Sequence, residues 1–190
     1  MLLEIRIHGR GGQGVVTAAQ LLVEAAYYEG LWGQAIPFFG AERRGAPVVA
    51  YARISDKPIR IHSQIYSPDI VIVFDERLIK LADVYKGLRE NGLLIVNTTK
   101  MTKETIQISK KGKVRLAYTP ATQIALDLKL IVAGWPVINT AMLGAFAKAT
   151  KLISINSIER AIKNNWSGKI GELNAKAARL AYEKTVLYGG

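Results

Sequence analysis

The 190 residues, 49% hydrophobic and 22% charged, have the balance of a single globular domain with at most a small appendage, and no apolar run approaches the roughly 18 residues that a membrane span requires. The absence of cysteine excludes disulfides, a thiolate nucleophile and a cysteine-ligated iron–sulfur cluster on this chain. The net charge of +11, from 26 Lys and Arg against 15 Asp and Glu, is spread in short groups with no long basic run, which favours solvated faces and an acidic protein partner over nucleic acid.

In chain order, Leu2 to His8 reads as an opening strand that runs into a glycine-rich turn, and Val15 to Tyr28 follows with apolar and alanine positions at helical spacing. Gly30 ends that helix, and Leu31 to Phe38 gives a second strand, expected as the parallel partner of the first. Val48 to Ile54 and Pro58 to His62, separated by Ser55-Asp56-Lys57, predict an antiparallel hairpin. Asp69 to Phe74 is a continuous apolar run of the kind buried on both faces, and Glu76 to Leu88 reads as an amphipathic helix. Asn91-Gly92 turns the chain into the buried strand Leu93 to Val96. Thr105 to Ile108 and Val114 to Tyr118 flank a Lys110-Lys111-Gly112-Lys113 turn and read as a small hairpin.

Thr119-Pro120 predicts an N-cap and first helical residue for a helix to about Leu128. Further helices are expected at Ala141 to Ala149, preceded by Asn139-Thr140, at Ile158 to Asn164 behind an Asn156/Glu159 capping box, and at Glu172 to Leu187. The fold expected is a three-layer α/β, Rossmann-like domain over residues 1–190. It has a mixed, mostly parallel sheet, a β-hairpin insertion and a helical C-terminal extension from about 152. His8 and His62 lack metal-ligand spacing, so both rings are expected in or beside strands with hydrogen-bonded nitrogens.

The candidate chemistry lies at Gly9-Arg10-Gly11-Gly12-Gln13-Gly14, a G-x-G-x-x-G pattern between a strand and a helix. Glycines there let backbone approach a ligand, and the free N–H groups of the first turn favour a phosphate or carboxylate. The competing reading is a tight turn with close helix packing and no ligand. Val15 and Val16 stand where a P-loop needs Lys and then Ser or Thr, which argues against ATP hydrolysis. Phe38 and Phe39 stand where a dinucleotide fold places its ribose-holding acid, which argues against NAD. Arg43 and Arg44 suit a phosphate or carboxylate, as on NADP, coenzyme A or an acidic subunit surface, or else an ion pair with Glu42 or another carboxylate.

His8-Gly9-Arg10-Gly11-Gly12-Gln13-Gly14 and Phe38-Phe39-Gly40-Ala41-Glu42-Arg43-Arg44-Gly45-Ala46-Pro47 together resemble the paired signature of the gamma subunits of pyruvate and related 2-oxoacid:ferredoxin oxidoreductases. The resemblance continues through Arg53 to Arg60, Pro68 to Phe74 and Asn139 to Ala145, and so spans nearly the whole chain. It implies a cytoplasmic complex of alpha, beta, gamma and delta subunits. That complex oxidatively decarboxylates a 2-oxoacid, passes electrons to ferredoxin and yields an acyl-coenzyme A. Thiamine diphosphate, Mg2+ and the [4Fe-4S] clusters are implied on the other subunits, with assembly and coenzyme A contact left to this one.

Carried over to this sequence, Gly9, Arg10, Gly11, Gly12, Gln13 and Gly14 form the glycine loop, Arg43 and Arg44 the charged loop beside it, and Asn139 stands near that surface or caps its helix. No nucleophile with a matched base is recognisable, so no catalytic or metal-binding residue is expected here. Pyruvate is the expected substrate of the complex, with 2-oxoisovalerate the nearest alternative. An independent NADP-binding reductase is the competing class.

Overall fold

The protein is described here from a computed structural model covering residues 1–37 and 44–188. The strands are β1 (Leu2–Arg10), β2 (Trp32–Pro37), β3 (Pro47–Ser55), β4 (Ile70–Val73), β5 (Leu93–Asn97), β6 (Arg115–Thr119), β7 (Ile131–Val132), β8 (Trp135–Pro136) and β9 (Val186–Tyr188). The helices are α1 (Val15–Tyr28), α2 (Leu78–Leu81), α3 (Lys103–Gly112), α4 (Ala121–Asp127), α5 (Asn139–Thr150), α6 (Ile155–Asn165) and α7 (Gly168–Lys184). Seven strands form one mixed sheet in the order β2-β3-β1-β4-β5-β6-β9, and β7 and β8 form a separate small hairpin. β1, β4, β5 and β6 are mutually parallel, β3 runs against β1 and β2, and β9 runs against β6, so five of the seven strands share a direction.

Alternation along the central strands divides the core in two. Ile70, Ile72, Leu93 and Ile95 face the larger cluster, built with α1, α4, α5, α6 and α7, while Val71, Val73, Leu94 and Val96 face the smaller one beneath α2 and α3. The result is the expected three-layer α/β arrangement, with unequal outer layers. α6 and α7 pack against α1 and α5, contributing Ile158, Ile162, Ala175 and Ala178 to the larger cluster.

Several local expectations are corrected, and in some of them a long-range arginine side chain is responsible. β2 does not adjoin β1: β3 lies between them, in register from Leu2↔Ser55 to Arg10↔Pro47. The antiparallel hairpin is therefore β2–β3, and residues 58–62 form no strand, because the buried Arg53 guanidinium takes the carbonyls of Ile61 and Ser63 that a ladder would use. The helix expected over Glu76 to Leu88 shrinks to α2. Arg6 takes the carbonyls of Val84 and Lys86, and Asp83 and Gly87 adopt positive φ of 48° and 76°.

The hairpin expected across Thr105 to Tyr118 is instead helix α3 followed by β6. Thr102 accepts a hydrogen bond from the Thr105 amide, Glu104 occupies the first turn, Lys110 and Lys111 the last, and Lys113 ends the helix at φ 48°. These end signals outweigh a four-residue alternation. Pro120 is the residue before α4 rather than its first. Ser154, not Asn156, caps α6, while Asn156 and Glu159 both bind Arg179 of α7. The last helix stops at Lys184, and β9 pairs its three residues with the otherwise open edge of β6.

Candidate functional site

The glycine loop lies where it was expected, at the carboxyl end of β1 beside β4. In an open α/β sheet, strands continuing on either side of such a point leave a crevice in which ligands bind. The loop is braced from within: the Gln13 side chain accepts from the Arg10 amide at 2.7 Å, and the Gln13 amide donates to the Arg10 carbonyl at 3.0 Å. It is also braced by Gly45 and Ala46, since the Gly11 amide donates to the Ala46 carbonyl at 2.9 Å and the Gly45 amide to the Gly11 carbonyl at 3.1 Å. Arg44 bridges Gly11 and is exposed, so the two signature segments meet in space. Arg43 lies outside the described residues, as do Phe38, Phe39 and Glu42.

Two glycines are required by close approach. A Cβ on Gly9 would stand 2.4 Å from Val15 Cγ2, so the strand can run under the helix start only without a side chain. Gly14 combines φ 78° with a site where a Cβ would stand 2.6 Å from Asn139 Nδ2. Asn139 is buried in the first turn of α5, its Oδ1 accepting from the Thr140 amide at 2.9 Å. It therefore stands against the loop and joins the starts of two helices there. Gly14→Ala should destabilise the fold by roughly 2 kcal/mol, from left-handed backbone strain and displacement of Asn139. Urea titration of that variant beside Asn139→Ala, which vacates the space, checks the assignment: relief of part of the loss in the double variant is the expected outcome.

Val15, Val16 and Thr17 carry the first N–H groups of α1, and no acidic side chain or side-chain cap satisfies them. With Arg10, Gly11, Gly12 and Val48 they border an open groove of about 260 Å3, where free N–H groups suit a phosphate or carboxylate.

Behind this groove is an ionic group that the sequence alone did not reveal. Asp75, directly after β4, accepts from the Arg10 guanidinium and from both the backbone and the guanidinium of Arg77. Burial opposes ionisation of Asp75, yet the bonds from Arg77 and Arg10 outweigh it and hold the carboxyl below the usual carboxylate range. Arg10 also donates to the Gly45 carbonyl at 3.0 Å, which ties the charged loop to the sheet. Asn97, at the end of β5, donates to the Phe74 carbonyl and to Thr122. Both Asp75 and Asn97 close buried apolar strands at the ligand-facing edge, and that position is the signal by which they can be found.

Asn174 accepts from the Thr140 hydroxyl at 3.1 Å and belongs to the packing behind Asn139. Among the described residues no three His, Asp or Glu side chains gather at metal-binding distance. Among the described residues no helix is long and apolar enough to cross a membrane.

His8 lies on β1 two residues before the loop arginine, buried, with Nε2 lacking a hydrogen-bond partner among the described residues, contrary to the expected bonded ring. His62 is exposed, its Nδ1 3.4 Å from Gln34 Nε2. Burial, with the nearby Arg6 charge, pushes the His8 imidazole down to about 3. The unfolded chain thus binds a proton below its ordinary value near 6.5, whereas the folded chain does not until pH approaches 3, so stability falls as pH falls through that window. Between pH 7.5 and 5 the expected loss is about 2 kcal/mol. Urea midpoints at the two pH values should show it in the native chain and not in His8→Leu, and equal losses in both would refute the assignment.

The geometry defines a class of α/β protein with a glycine loop at the carboxyl edge of its mixed sheet, leading directly into a helix. The chain belongs to the pyruvate ferredoxin/flavodoxin oxidoreductase family, whose model matches residues 4–184. It is 56% identical over 187 residues to the pyruvate/ketoisovalerate oxidoreductases common subunit gamma of Thermococcus litoralis, covering 98% of this chain and 99% of that one. It is 50% identical over 184 residues to the pyruvate synthase subunit PorC of Methanothermobacter marburgensis, covering 96% and 97%. The crystal structure of pyruvate oxidoreductase subunit PORC from Thermotoga maritima superposes with a TM-score of 0.83 at 34% identity, over 99% of both chains.

Proposed function

We propose that this chain is the gamma subunit of a pyruvate:ferredoxin oxidoreductase, an accessory subunit that contributes assembly and an anion-binding edge while other subunits carry the chemistry. The observation that carries this reading is the end-to-end likeness to subunits so named, at 56% and 50% identity. The site agrees with it. Its polar groups are braced arginines, amides and a carboxylate held ionised between two guanidinium groups, none of them a nucleophile paired with a base. The sequence has no cysteine with which to hold an iron–sulfur cluster, so alpha, beta and delta partners would supply the clusters, thiamine diphosphate and Mg2+. Residues 1–190 would act as one domain in a cytoplasmic complex that delivers electrons to ferredoxin.

Gly9 to Gly14 with Arg43 and Arg44 form the proposed ligand edge, and Asn139, buried against Gly14, would position the loop rather than touch the ligand. The open groove of about 260 Å3 suits a phosphate of coenzyme A, and the remainder would lie along Arg44 or a neighbouring subunit. A second substrate, 2-oxoisovalerate, is favoured by one specific observation: the Thermococcus litoralis relative is named as common to pyruvate and ketoisovalerate oxidoreductases. An independent NADP reductase is less well served, because β3 separates β2 from β1 and removes the neighbouring strand end that holds a dinucleotide ribose.

Purification of the tagged chain from its native cell, followed by 2-oxoacid- and coenzyme A-dependent ferredoxin reduction, tests the proposal. Co-purified cysteine-bearing chains with thiamine-dependent activity are expected, and exchanging pyruvate for 2-oxoisovalerate distinguishes the substrates. A solitary chain that binds NADPH and supports no 2-oxoacid oxidation would overturn it.

A further inference from the structure

The two outer layers of the sheet are unequal. Among the described residues thirty-eight buried side chains build the core beneath α1 and α4 to α7, and nine build the one beneath α2 and α3. The thinner layer is also open. A hollow of about 510 Å3 lies between Tyr85, Leu88, Ile108 and Val114, and a second of about 410 Å3 lies beside Ile79 and Leu81. Glu104 borders both hollows and pairs with the exposed Lys80, which borders the second, at 2.9 Å. Leu81 is 71% exposed at the rim of the second hollow, a large apolar side chain with no cover among the described residues.

Charge marks the same layer. Residues 76–115 hold ten Lys and Arg against four Asp and Glu, a net of +6 within a chain whose total is +11, although two of the ten, Arg89 and Arg115, border a different groove beside Met1 and Leu3. Lys111 lines the first hollow, and Lys86 and Lys103 are exposed next in sequence to the lining residues Tyr85, Thr102 and Glu104. A surface that merely tracks a phosphate backbone needs cations but has no use for paired apolar hollows, whereas a protein segment with apolar side chains flanked by carboxylates uses both.

We infer that the α2–α3 face docks an acidic amphipathic segment of another subunit, with apolar side chains seated in the two hollows and carboxylates against Lys86, Lys103 and Lys111. This rests on the subunit reading above and names the surface through which the chain assembles. The face lies on the side of the sheet away from α1, so docking there leaves α1 and its opening groove uncovered.

Zero-length carbodiimide cross-linking of the complex purified from native cells tests the inference, because it joins lysine amines to carboxylates already in contact. Lys103 and Lys111 should be recovered linked to Asp or Glu of a co-purifying chain. Both should be acetylated about tenfold more slowly in the complex than in the free chain. Leu81→Ser and the double variant Lys103→Glu/Lys111→Glu should each weaken retention of the partner about tenfold, and Lys176→Glu, on the opposite layer, should not. The single variant Lys103→Glu places an acid in the first turn of α3, where the helix dipole favours it, so loss of the partner in that variant does not report a misfolded helix.

Full labelling of Lys103 and Lys111 within an active complex overturns the inference and leaves the subunit reading standing. A chain that purifies alone overturns both. Bound nucleic acid released by the charge reversals but not by Leu81→Ser overturns it in favour of phosphate-backbone binding.

Discussion

Arg53→Ala should lower the stability of the chain by about 4 kcal/mol, because it removes one partner of a buried ion pair. The Arg53 side chain, 1% exposed, donates to Glu4 of β1 at 2.9 Å, to Gln34 of β2 at 3.1 Å and to the carbonyls of Ile61 and Ser63. One guanidinium thus joins three strands to the segment that covers them, and its loss strands acceptors that water cannot reach without opening the layer. Glu4 keeps a longer contact with Arg89, 3.3 Å, which bounds the loss. Chemical denaturation of Arg53→Ala and Arg53→Lys checks this. The lysine variant should recover less than half, since a single ammonium cannot reach all four acceptors. Equal stability of native chain and alanine variant would show that the network does not hold the sheet edge.

The second large effect is expected at Gly144→Ala. A Cβ there would stand 1.9 Å from the Ala178 carbonyl oxygen and 2.7 Å from its carbon, backbone atoms that no rotamer change can move. α5 and α7 meet where Gly144 lies against Ala178, and Ala141, Ala145, Ala175 and Ala178 are all buried in the larger core. One added methyl must push two helices apart. The expected loss is about 3 kcal/mol, or roughly 10 °C in Tm for a chain of this size. Since Asn139 opens α5 and stands against Gly14, the same shift should loosen the glycine loop, read as faster amide exchange at Gly12 to Val15. A Tm unchanged within about 2 °C would disprove the close crossing.

The sequence by itself determined the parts whose information is local. A strand, a glycine-rich turn and an alanine-rich helix follow from period and composition over residues 2–28, and β4 and β5 from uninterrupted apolar runs. The two signature segments carry the family resemblance in sequence alone, and Arg44 does lie against the glycine loop, through its bridge to Gly11.

The tertiary structure decided what depends on distant partners. Strand order is the first case: β3 takes the place beside β1 because its nine residues find register with the whole length of β1, a long-range choice that no local pattern encodes. Arg6 and Arg53 are the second. Each is an ordinary strand arginine in sequence, but once buried each must satisfy its guanidinium, and each does so by drawing backbone carbonyls out of an expected helix or strand. The ionic group of Asp75 with Arg10 and Arg77 is the third, assembled from residues 65 positions apart that meet only because β1 and β4 are parallel neighbours. Periodicity reports how a segment meets its own surroundings, whereas burial of a charge couples segments remote in sequence, and that coupling is settled only when the chain is folded.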